Sequence, residues 1–297
     1  MKNVIEYLEK VNRRVIVPIG EGQKDLDFLC LGDITFAKAM GFKTFMVGKS
    51  LEKVLEGQML DRSQFELMKE NKYFDYTCFS KEIENLIRIK KESNIPIGGG
   101  CFGPLTIAGD IIGVENCNRM AIKDPELLVD IVEYISQYIV ELAIEEERAG
   151  ADFFWIAEPL ASLFSPDKFE IFSGRFLKRI FNSVSIAGFL HVCGKTLKHT
   201  DKLVETGAKV LSIDYLTDIV KCIERVPKNV VIMGNINPML LLQGTKEEII
   251  NEVEQLNYSM RQYKNFIFSS GCLIPSNTPK ENIEIMIKTT LEFKMED

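Results

Sequence analysis

The sequence predicts a single α/β domain with the (β/α)8 barrel fold. Short apolar runs alternate with amphipathic helical stretches along the chain. The apolar runs are continuous rather than alternating, which indicates strands of a parallel sheet covered on both faces. Five late runs end in a polar or metal-binding residue: Glu158, His191, Asp214, Asn235 and Cys272. Active sites of β/α barrels form at the carboxyl ends of the strands, so these five side chains are expected to face one another across the barrel mouth.

An open, doubly wound sheet fits the same alternation of strands and helices. Such a sheet collects functional side chains from fewer strands, so the barrel is the preferred prediction. The chain has 297 residues, of which 46% are hydrophobic, and contains no linker rich in Gly, Ser or Pro. This composition predicts one domain over residues 1–297.

The first strand is predicted at Val15–Gly20 and the second at Phe45–Val47. A third begins at Ile97. Further along, Asp124 is predicted to cap a helix that starts at Pro125, because an acid before a proline is typical of a helix start. The later strands are expected at Phe153–Glu158, Ser185–His191, Val210–Asp214, Val230–Ile236 and Phe266–Cys272.

Three consecutive glycines, Gly98, Gly99 and Gly100, follow the start of the third strand. We expect them to form a flexible loop in which the backbone lies open to a bulky cofactor. The same run also fits a phosphate site, although no Gly-Lys-Ser/Thr sequence follows it, which makes that motif weak. The three glycines are therefore candidate cofactor-binding residues.

His191, Cys193 and Cys272 are the candidate metal ligands. In an extended strand, two residues separated by one point to the same face, so His191 and Cys193 can hold one ion. Imidazole and thiolate are ligands that zinc prefers, and three protein ligands leave an exchangeable fourth position, as in catalytic zinc sites. The alternative to a metal site is a core cysteine beside a hydrogen-bonding histidine. Cys272, far along the chain at the end of another predicted strand, favours the metal site.

The other polar residues at strand ends have more than one possible role. Glu158 is either a helix-capping, backbone-binding group or a functional carboxylate. Asp214 is a fourth metal ligand, a hydrogen-bond partner of the imidazole or a carboxylate that ties down a loop. Asn235 is a candidate contact for a cofactor, although its position before Pro238 favours a turn-shaping role. His199, the second of the two histidines, is predicted to be a solvated helical residue.

Composition and charge exclude several classes of protein. The net charge of −7 and the pI near 5.2 argue against a nucleic-acid partner. No apolar run reaches the roughly 18 residues that span a bilayer, and the first residues do not resemble a signal peptide. Seven scattered cysteines do not indicate a disulfide framework. We expect a cytoplasmic protein with neither a nucleic-acid nor a membrane partner.

Four motifs in chain order resemble the uroporphyrinogen decarboxylase superfamily, and within it the methylcorrinoid:coenzyme M methyltransferase-like branch. They are Gly103–Gly109, Leu190–Lys195, Gly234–Pro238 and Gly271–Asn282. The resemblance is clearest over residues 95–290 and implies a (β/α)8 barrel. It also implies a decarboxylase alternative, but the arginine-rich N-terminal motif of the decarboxylases is not matched here.

The methyltransferase branch implies a zinc ion held by His191, Cys193 and Cys272, with Asp214 as the nearest match for a fourth ligand. It implies that a zinc-bound thiol takes a methyl group from a methylated corrinoid (cobalamin), carried by a partner corrinoid protein. The acceptor is expected to be a small thiol such as coenzyme M, with tetrahydrofolate left open. A non-catalytic corrinoid-binding or zinc-binding protein is the remaining alternative.

Overall fold

The computed structural model describes residues 15–16, 59–70, 80–92, 96, 98–275 and 277–293. The described strands are β1 (Val15–Ile16), β2 (Gly98–Phe102), β3 (Phe153–Ala157), β4 (Ala187–Val192), β5 (Val210–Ile213), β6 (Val231–Ile236) and β7 (Phe266–Ser270). The described α-helices are α1 (Arg62–Glu70), α2 (Ser80–Glu92), α3 (Pro104–Ile112), α4 (Val114–Lys123), α5 (Pro125–Arg148), α6 (Pro166–Phe169), α7 (Arg175–Asn182), α8 (Thr200–Glu205), α9 (Ile219–Ile223), α10 (Pro238–Gln243), α11 (Lys246–Met260) and α12 (Lys280–Glu292).

The seven strands form one parallel sheet with the connectivity of a β/α barrel. From β2 to β7 each strand pairs with the next one in the chain, and the first strand, β1, pairs with the last, β7. Pairing of the first strand with the last closes a barrel on that side. The strand predicted at Phe45–Val47, which would stand between β1 and β2, lies outside the described residues. The predicted α/β barrel is confirmed.

The two faces of the sheet bury different side chains. On the outer face, residues such as Ile156 and Leu190 pack into the large apolar cluster shared with the helices. On the inner face, aromatic rings contact one another: Trp155 stacks on Phe189 with 5.4 Å between ring centroids, and Phe153 lies 4.9 Å from the same ring. The rings fill the lower part of the barrel, which leaves its carboxyl end for polar side chains.

The longest of the described helices, α5, begins where the sequence predicts. The Asp124 side chain accepts a hydrogen bond of 3.1 Å from the Leu127 N–H, and Pro125 occupies the first helical position. Both features stabilise the helix start, since the first N–H groups of a helix have no partner within it. None of the helices among the described residues is long and apolar enough to cross a membrane.

The expected flexible loop at Gly98–Gly100 is wrong, because these residues form the first part of β2. Glycine is required at each of these strand positions because a neighbouring group occupies the space that a side chain would need. An added Cβ would overlap the Phe153 ring, the Glu146 carboxylate and the Trp155 carbonyl oxygen, in that order. Three glycines in a row therefore indicate close packing here rather than backbone freedom.

Gly98 lies well below the barrel mouth, and Gly100 is two residues before the end of β2. In the strand register, Phe102 at the end of β2 is level with Ala157 and His191, whereas Gly98 is four residues earlier. At roughly 3.3 Å per residue, Gly98 lies about 13 Å below that level. Contact between these glycines and a cofactor stays a prediction, and the structure gives them a packing role.

We predict that Gly100→Ala costs about 3 kcal/mol of unfolding free energy, because the new methyl group would overlap backbone that cannot move without breaking the β2–β3 pairing. Gly99→Ala is the matched control: it meets the end of a flexible Glu146 side chain and should cost about 1 kcal/mol. Urea unfolding followed by circular dichroism measures both. Equal costs would contradict the packing explanation.

Candidate metal centre

His191 lies on β4 between residues that pack against the helices, so its imidazole points into the barrel, where it is buried. Its Nδ1 lies 3.2 Å from the Ser212 carbonyl oxygen and 3.1 Å from the Ser212 Oγ. A carbonyl oxygen only accepts hydrogen bonds, so Nδ1 carries the ring proton and donates it. The lone pair is then on Nε2, on the other side of the ring, where it can bind a metal.

Two sulfur atoms lie next to that nitrogen. The Cys193 Sγ is 3.2 Å from the His191 Nε2, and the Cys272 Sγ is 3.6 Å from it. The two sulfurs are 3.8 Å apart. Cys193 directly follows β4 and Cys272 comes two residues after β7, so the carboxyl ends of two separate strands bring the thiols together.

These distances fit a tetrahedral zinc ion. Zinc binds sulfur at about 2.3 Å and imidazole nitrogen at about 2.0 Å, so two sulfurs in a tetrahedral site stand about 3.8 Å apart and a sulfur–nitrogen pair about 3.5 Å apart. The separations in the structure are 3.8 Å between the sulfurs and 3.2 and 3.6 Å from nitrogen to sulfur. The residues present therefore fit the metal, and their role as ligands stays a prediction.

Asp214 completes the cluster. One ligand atom from each of His191, Cys193, Asp214 and Cys272 lies within 4.8 Å of the other three. Asp214 is buried directly after β5, and its Oδ1 accepts a hydrogen bond of 2.8 Å from the Leu216 N–H. The Asp214 Oδ1 thus stabilises the turn after β5, while the carboxylate remains close enough to the other three residues to bind the same ion. Of the roles that the sequence left open for Asp214, the structure shows the loop-tying one, and its role as a metal ligand stays a prediction.

Asn235 stands one strand further on, and its amide supports the Asp214 loop. Its Nδ2 donates hydrogen bonds to the carbonyl oxygens of Asp214, at 3.1 Å, and Thr217, at 2.9 Å. This is a loop-shaping role of the kind that the sequence favours. Contact between Asn235 and a cofactor stays a prediction.

The sulfur atoms of the two thiols are within hydrogen-bonding distance of each other. Donation from the Cys193 thiol to the Cys272 sulfur lowers the pKa of Cys272 below the ordinary value for a cysteine, and the nearby imidazole of His191 lowers it further. The same interaction, together with burial, raises the pKa of Cys193. A metal ion would displace that proton, because a coordinating thiol is deprotonated.

Glu158 is fully buried, and its carboxylate binds the start of α3. It accepts hydrogen bonds from the backbone N–H groups of Leu105, at 3.2 Å, and Thr106, at 2.7 Å. The hydroxyl groups of Thr106 and Ser173 also donate to it. A Cβ on Gly103 would collide with the carboxylate, which explains the glycine before Pro104–Ile112. Of the two roles left open by the sequence, the structure shows backbone binding.

The same residue connects α3 to the strand that carries the histidine. The Glu158 N–H donates a hydrogen bond of 2.8 Å to the His191 carbonyl oxygen. Burial raises the pKa of the Glu158 carboxyl to about 7, against the opposing effect of the hydrogen bonds from Thr106 and Ser173. A direct catalytic role for Glu158 stays a prediction.

The prediction that His199 is solvated is wrong. Its ring is buried, with Nε2 placed 2.9 Å from the Phe164 carbonyl oxygen and an edge-to-face contact to Phe169. Burial lowers the pKa of this histidine. The loop after β4 folds against the loop after β3, and no local sequence pattern indicates that contact. His199 supports the loops and lies outside the four-residue metal cluster.

Sequence reasoning missed the hydroxyl residues that position the site. Ser212 orients the imidazole, and the only signal was a serine within the apolar strand Val210–Ile213, directly opposite His191 in the register. Thr106 and Ser173 bind Glu158 from distant parts of the chain. Those two contacts carry no sequence signal, because they depend on how α3 and the segment before α7 pack.

We predict that His191→Ala, Cys193→Ala and Cys272→Ala each weaken zinc binding at least about 100-fold, because each removes one of the nitrogen or sulfur donors. Cys222→Ala is the matched control, since Cys222 is a buried thiol of α9 outside the cluster and should leave zinc binding unchanged. Competition with a chromogenic chelator measures the affinity. Full zinc affinity in any of the three variants would contradict the ligand set.

We predict that stability falls as pH rises through the titration of Glu158. The folded-state pKa, about 7, lies above the ordinary 4.5, so the stabilising protonated form is fully present below pH 4.5 and lost by about pH 8. Relative to Glu158→Gln, the wild-type protein should lose about 3 kcal/mol of unfolding free energy across this range. Urea denaturation at several pH values measures the difference, and parallel profiles for the two proteins would refute it.

Comparison with known proteins agrees with this architecture. The uroporphyrinogen decarboxylase (URO-D) family matches residues 27–293. The methylcobamide:CoM methyltransferase MtaA of Methanosarcina barkeri is 29% identical over 216 residues, which cover 71% of this chain. The chain spans 62% of the length of that relative. A uroporphyrinogen decarboxylase of Prochlorococcus marinus (strain MIT 9515) is 24% identical over 81% of this chain and 72% of its own.

Solved structures show the same fold. A methyltransferase from Methanosarcina mazei superposes with a TM-score of 0.65 and 25% identity, over 80% of this chain and 68% of its own. A B12-independent methionine synthase from Shewanella sp. W3-18-1 has a TM-score of 0.51 and 16% identity, over 70% of this chain and 64% of its own; this likeness concerns the fold alone. With a family match that extends over most of its length, this chain is a member of the uroporphyrinogen decarboxylase family of enzymes.

Proposed function

We propose that the protein is a zinc-dependent methyltransferase that moves a methyl group from a methylated corrinoid to a small thiol. The observation that carries this proposal is the cluster of His191 Nε2, two cysteine sulfurs and the Asp214 carboxylate at the barrel mouth. The spacing of the nitrogen and the two sulfurs suits zinc. The similarity to MtaA and to the Methanosarcina mazei methyltransferase supports the same chemistry.

Zinc bound at this site would supply a thiolate nucleophile at neutral pH by coordinating the incoming thiol. His191, Cys193 and Cys272 would hold the ion. Asp214 would be the ligand that an incoming thiol replaces, because its carboxylate also accepts a hydrogen bond from the Leu216 N–H and would keep that partner after release. The Ser212 carbonyl keeps the imidazole in the tautomer that leaves Nε2 available.

The exposed apolar surface beside the cluster supports the proposal that a partner covers the barrel mouth. Tyr215 and Leu216 follow Asp214, and Leu273 follows Cys272; their exposed fractions are 36%, 49% and 41%. Large apolar side chains grouped on a surface are typical of interaction sites. In the proposed reaction these residues contact the corrinoid, or the corrinoid protein that carries it, and help to exclude water from the methyl group.

Decarboxylation of a tetrapyrrole is the competing function, since uroporphyrinogen decarboxylases are also among the relatives. A substrate with several carboxylates requires several cations. The first four residues after each of β2 to β7 contain one cation, Lys195. The thiol pair is also unexplained by decarboxylation. These features favour methyl transfer. The two arginines that could be compared with the decarboxylase motif, at positions 13 and 14, lie outside the described residues.

We predict that the zinc-loaded protein methylates small thiols with methylcobalamin as the donor, and that removal of zinc by a chelator lowers the rate at least about 100-fold, because the thiol then stays protonated. Loss of the methylcobalamin absorption under anaerobic conditions and mass spectrometry of the thioether measure the reaction. Cys272→Ala should behave as the metal-free protein, and Cys222→Ala as the wild type.

Uroporphyrinogen and tetrahydrofolate serve as parallel test substrates. Release of carbon dioxide from uroporphyrinogen by the metal-free protein would establish the decarboxylase instead. Methylation of tetrahydrofolate but of no thiol would retain the methyl transfer and change the acceptor. Zinc binding without either reaction would indicate a binding protein.

A further inference from the structure

The turn after β5, residues 214–217, contacts both of the loops that carry the cysteines of the cluster. It is closed by two hydrogen bonds of its own. The Thr217 N–H donates one of 3.0 Å to the Asp214 carbonyl oxygen, and the Leu216 N–H donates one of 2.8 Å to the Asp214 Oδ1. Backbone and side chain therefore stabilise the same compact turn, which gives it a defined shape against its neighbours.

On one side, the 214–217 turn is bound to the loop of Cys193. The buried Thr217 hydroxyl donates a hydrogen bond of 2.8 Å to the Gly194 carbonyl oxygen and accepts one of 2.8 Å from the Thr196 N–H. Gly194 directly follows Cys193 and has a φ of +83°, a left-handed conformation that glycine adopts without strain. A single hydroxyl group thus fixes the backbone next to Cys193 against the turn.

On the other side, the turn is in steric contact with the loop of Cys272. Gly271 directly precedes Cys272, and a Cβ added to it would overlap the backbone of Tyr215. The Gly271 N–H also donates a hydrogen bond of 2.7 Å to the Ile236 carbonyl oxygen. Because backbone lies against backbone, no change of side-chain rotamer can bring the Cys272 loop closer to the turn.

The turn itself is fixed to the barrel wall by the next strand. The Asn235 Nδ2, on β6, donates hydrogen bonds to the carbonyl oxygens of Asp214 and Thr217, the first and last residues of the turn. With the turn held in place, its contacts on the two sides determine how far apart the two cysteine loops stand. The two sulfurs are 3.8 Å apart, the separation that a tetrahedral zinc ion requires.

We propose that the 214–217 turn is a spacer that holds the two cysteine sulfurs at the separation suited to zinc, with Thr217 as its positioning residue. This inference rests on the metal ligands of the proposed function and adds a device for metal selection. Thr217 is not one of the four cluster residues and acts through the backbone of the Cys193 loop. Cadmium, a larger ion, forms longer bonds to sulfur and is disfavoured when the sulfurs cannot separate.

The test measures the affinity of the full-length protein for zinc and for cadmium by competition with a chromogenic chelator. Thr217→Val keeps the shape of the side chain and removes the hydroxyl. It should weaken zinc binding about tenfold and cadmium binding less than about threefold, because the Cys193 loop can then move away from the turn. Thr217→Ser retains the hydroxyl and should keep both affinities within about twofold of the wild type. Thr217→Ala, which also lacks the hydroxyl, should repeat the result of Thr217→Val.

Thr206→Val is the matched control. Thr206 is also buried, and its hydroxyl also donates to a backbone carbonyl oxygen, that of Leu203, and accepts from a backbone N–H, that of Ala208. It lies outside the metal cluster. Thr206→Val should therefore lower the free energy of unfolding, measured in urea, about as much as Thr217→Val does, and leave both metal affinities unchanged.

Equal losses of zinc and cadmium affinity in Thr217→Val, or no loss of either, would overturn the spacer. The same change of metal affinities in Thr206→Val would overturn it as well. Metal binding needs no methyl transfer, so a lowered preference for zinc in Thr217→Val, in a protein whose wild type has no transferase activity, would support the spacer and refute the proposed function. Methyl transfer by the wild type, with an unchanged ratio of the two affinities in Thr217→Val, would do the reverse.

Discussion

The alignment of strand ends at one edge of the parallel sheet is the constraint on which the site depends. His191 is near the end of β4, Cys193 directly follows it, Asp214 directly follows β5, and Cys272 comes two residues after β7. Parallel pairing brings these ends to one level, and the hydrogen bond from His191 Nδ1 to the Ser212 carbonyl then turns the imidazole toward the sulfurs. The barrel interior below is filled by Trp155 and Phe189, so an ion is confined to the mouth.

Most of the fold could be predicted because most of its signals are local. Continuous apolar runs mark strands covered on both faces, and Asp124 before Pro125 marks the start of α5. The residues of the metal cluster could be predicted because the rule that strand ends converge requires no knowledge of side-chain packing. His191, Cys193, Asp214 and Cys272 were each identifiable as a polar or thiol residue at or just after the end of an apolar run.

What could not be predicted depends on contacts between distant segments. Gly98–Gly100 suggested a loop because glycine is flexible, but the ring of Phe153 and the backbone of Trp155 require glycine within a strand. His199 suggested a solvated position because charged and polar residues surround it, but the Phe164 loop covers it. For Glu158, the sequence left two roles, and the packing of α3 against β3 shows that its carboxylate binds backbone N–H groups.

X-ray absorption at the zinc edge tests the central claim most directly, because it counts the sulfur atoms bound to the metal. For the zinc-loaded protein, we predict two sulfur neighbours with lighter nitrogen or oxygen neighbours, and a third sulfur in place of an oxygen after a thiol is added. A coordination shell without protein sulfur, or one that does not change when the thiol binds, would contradict the account.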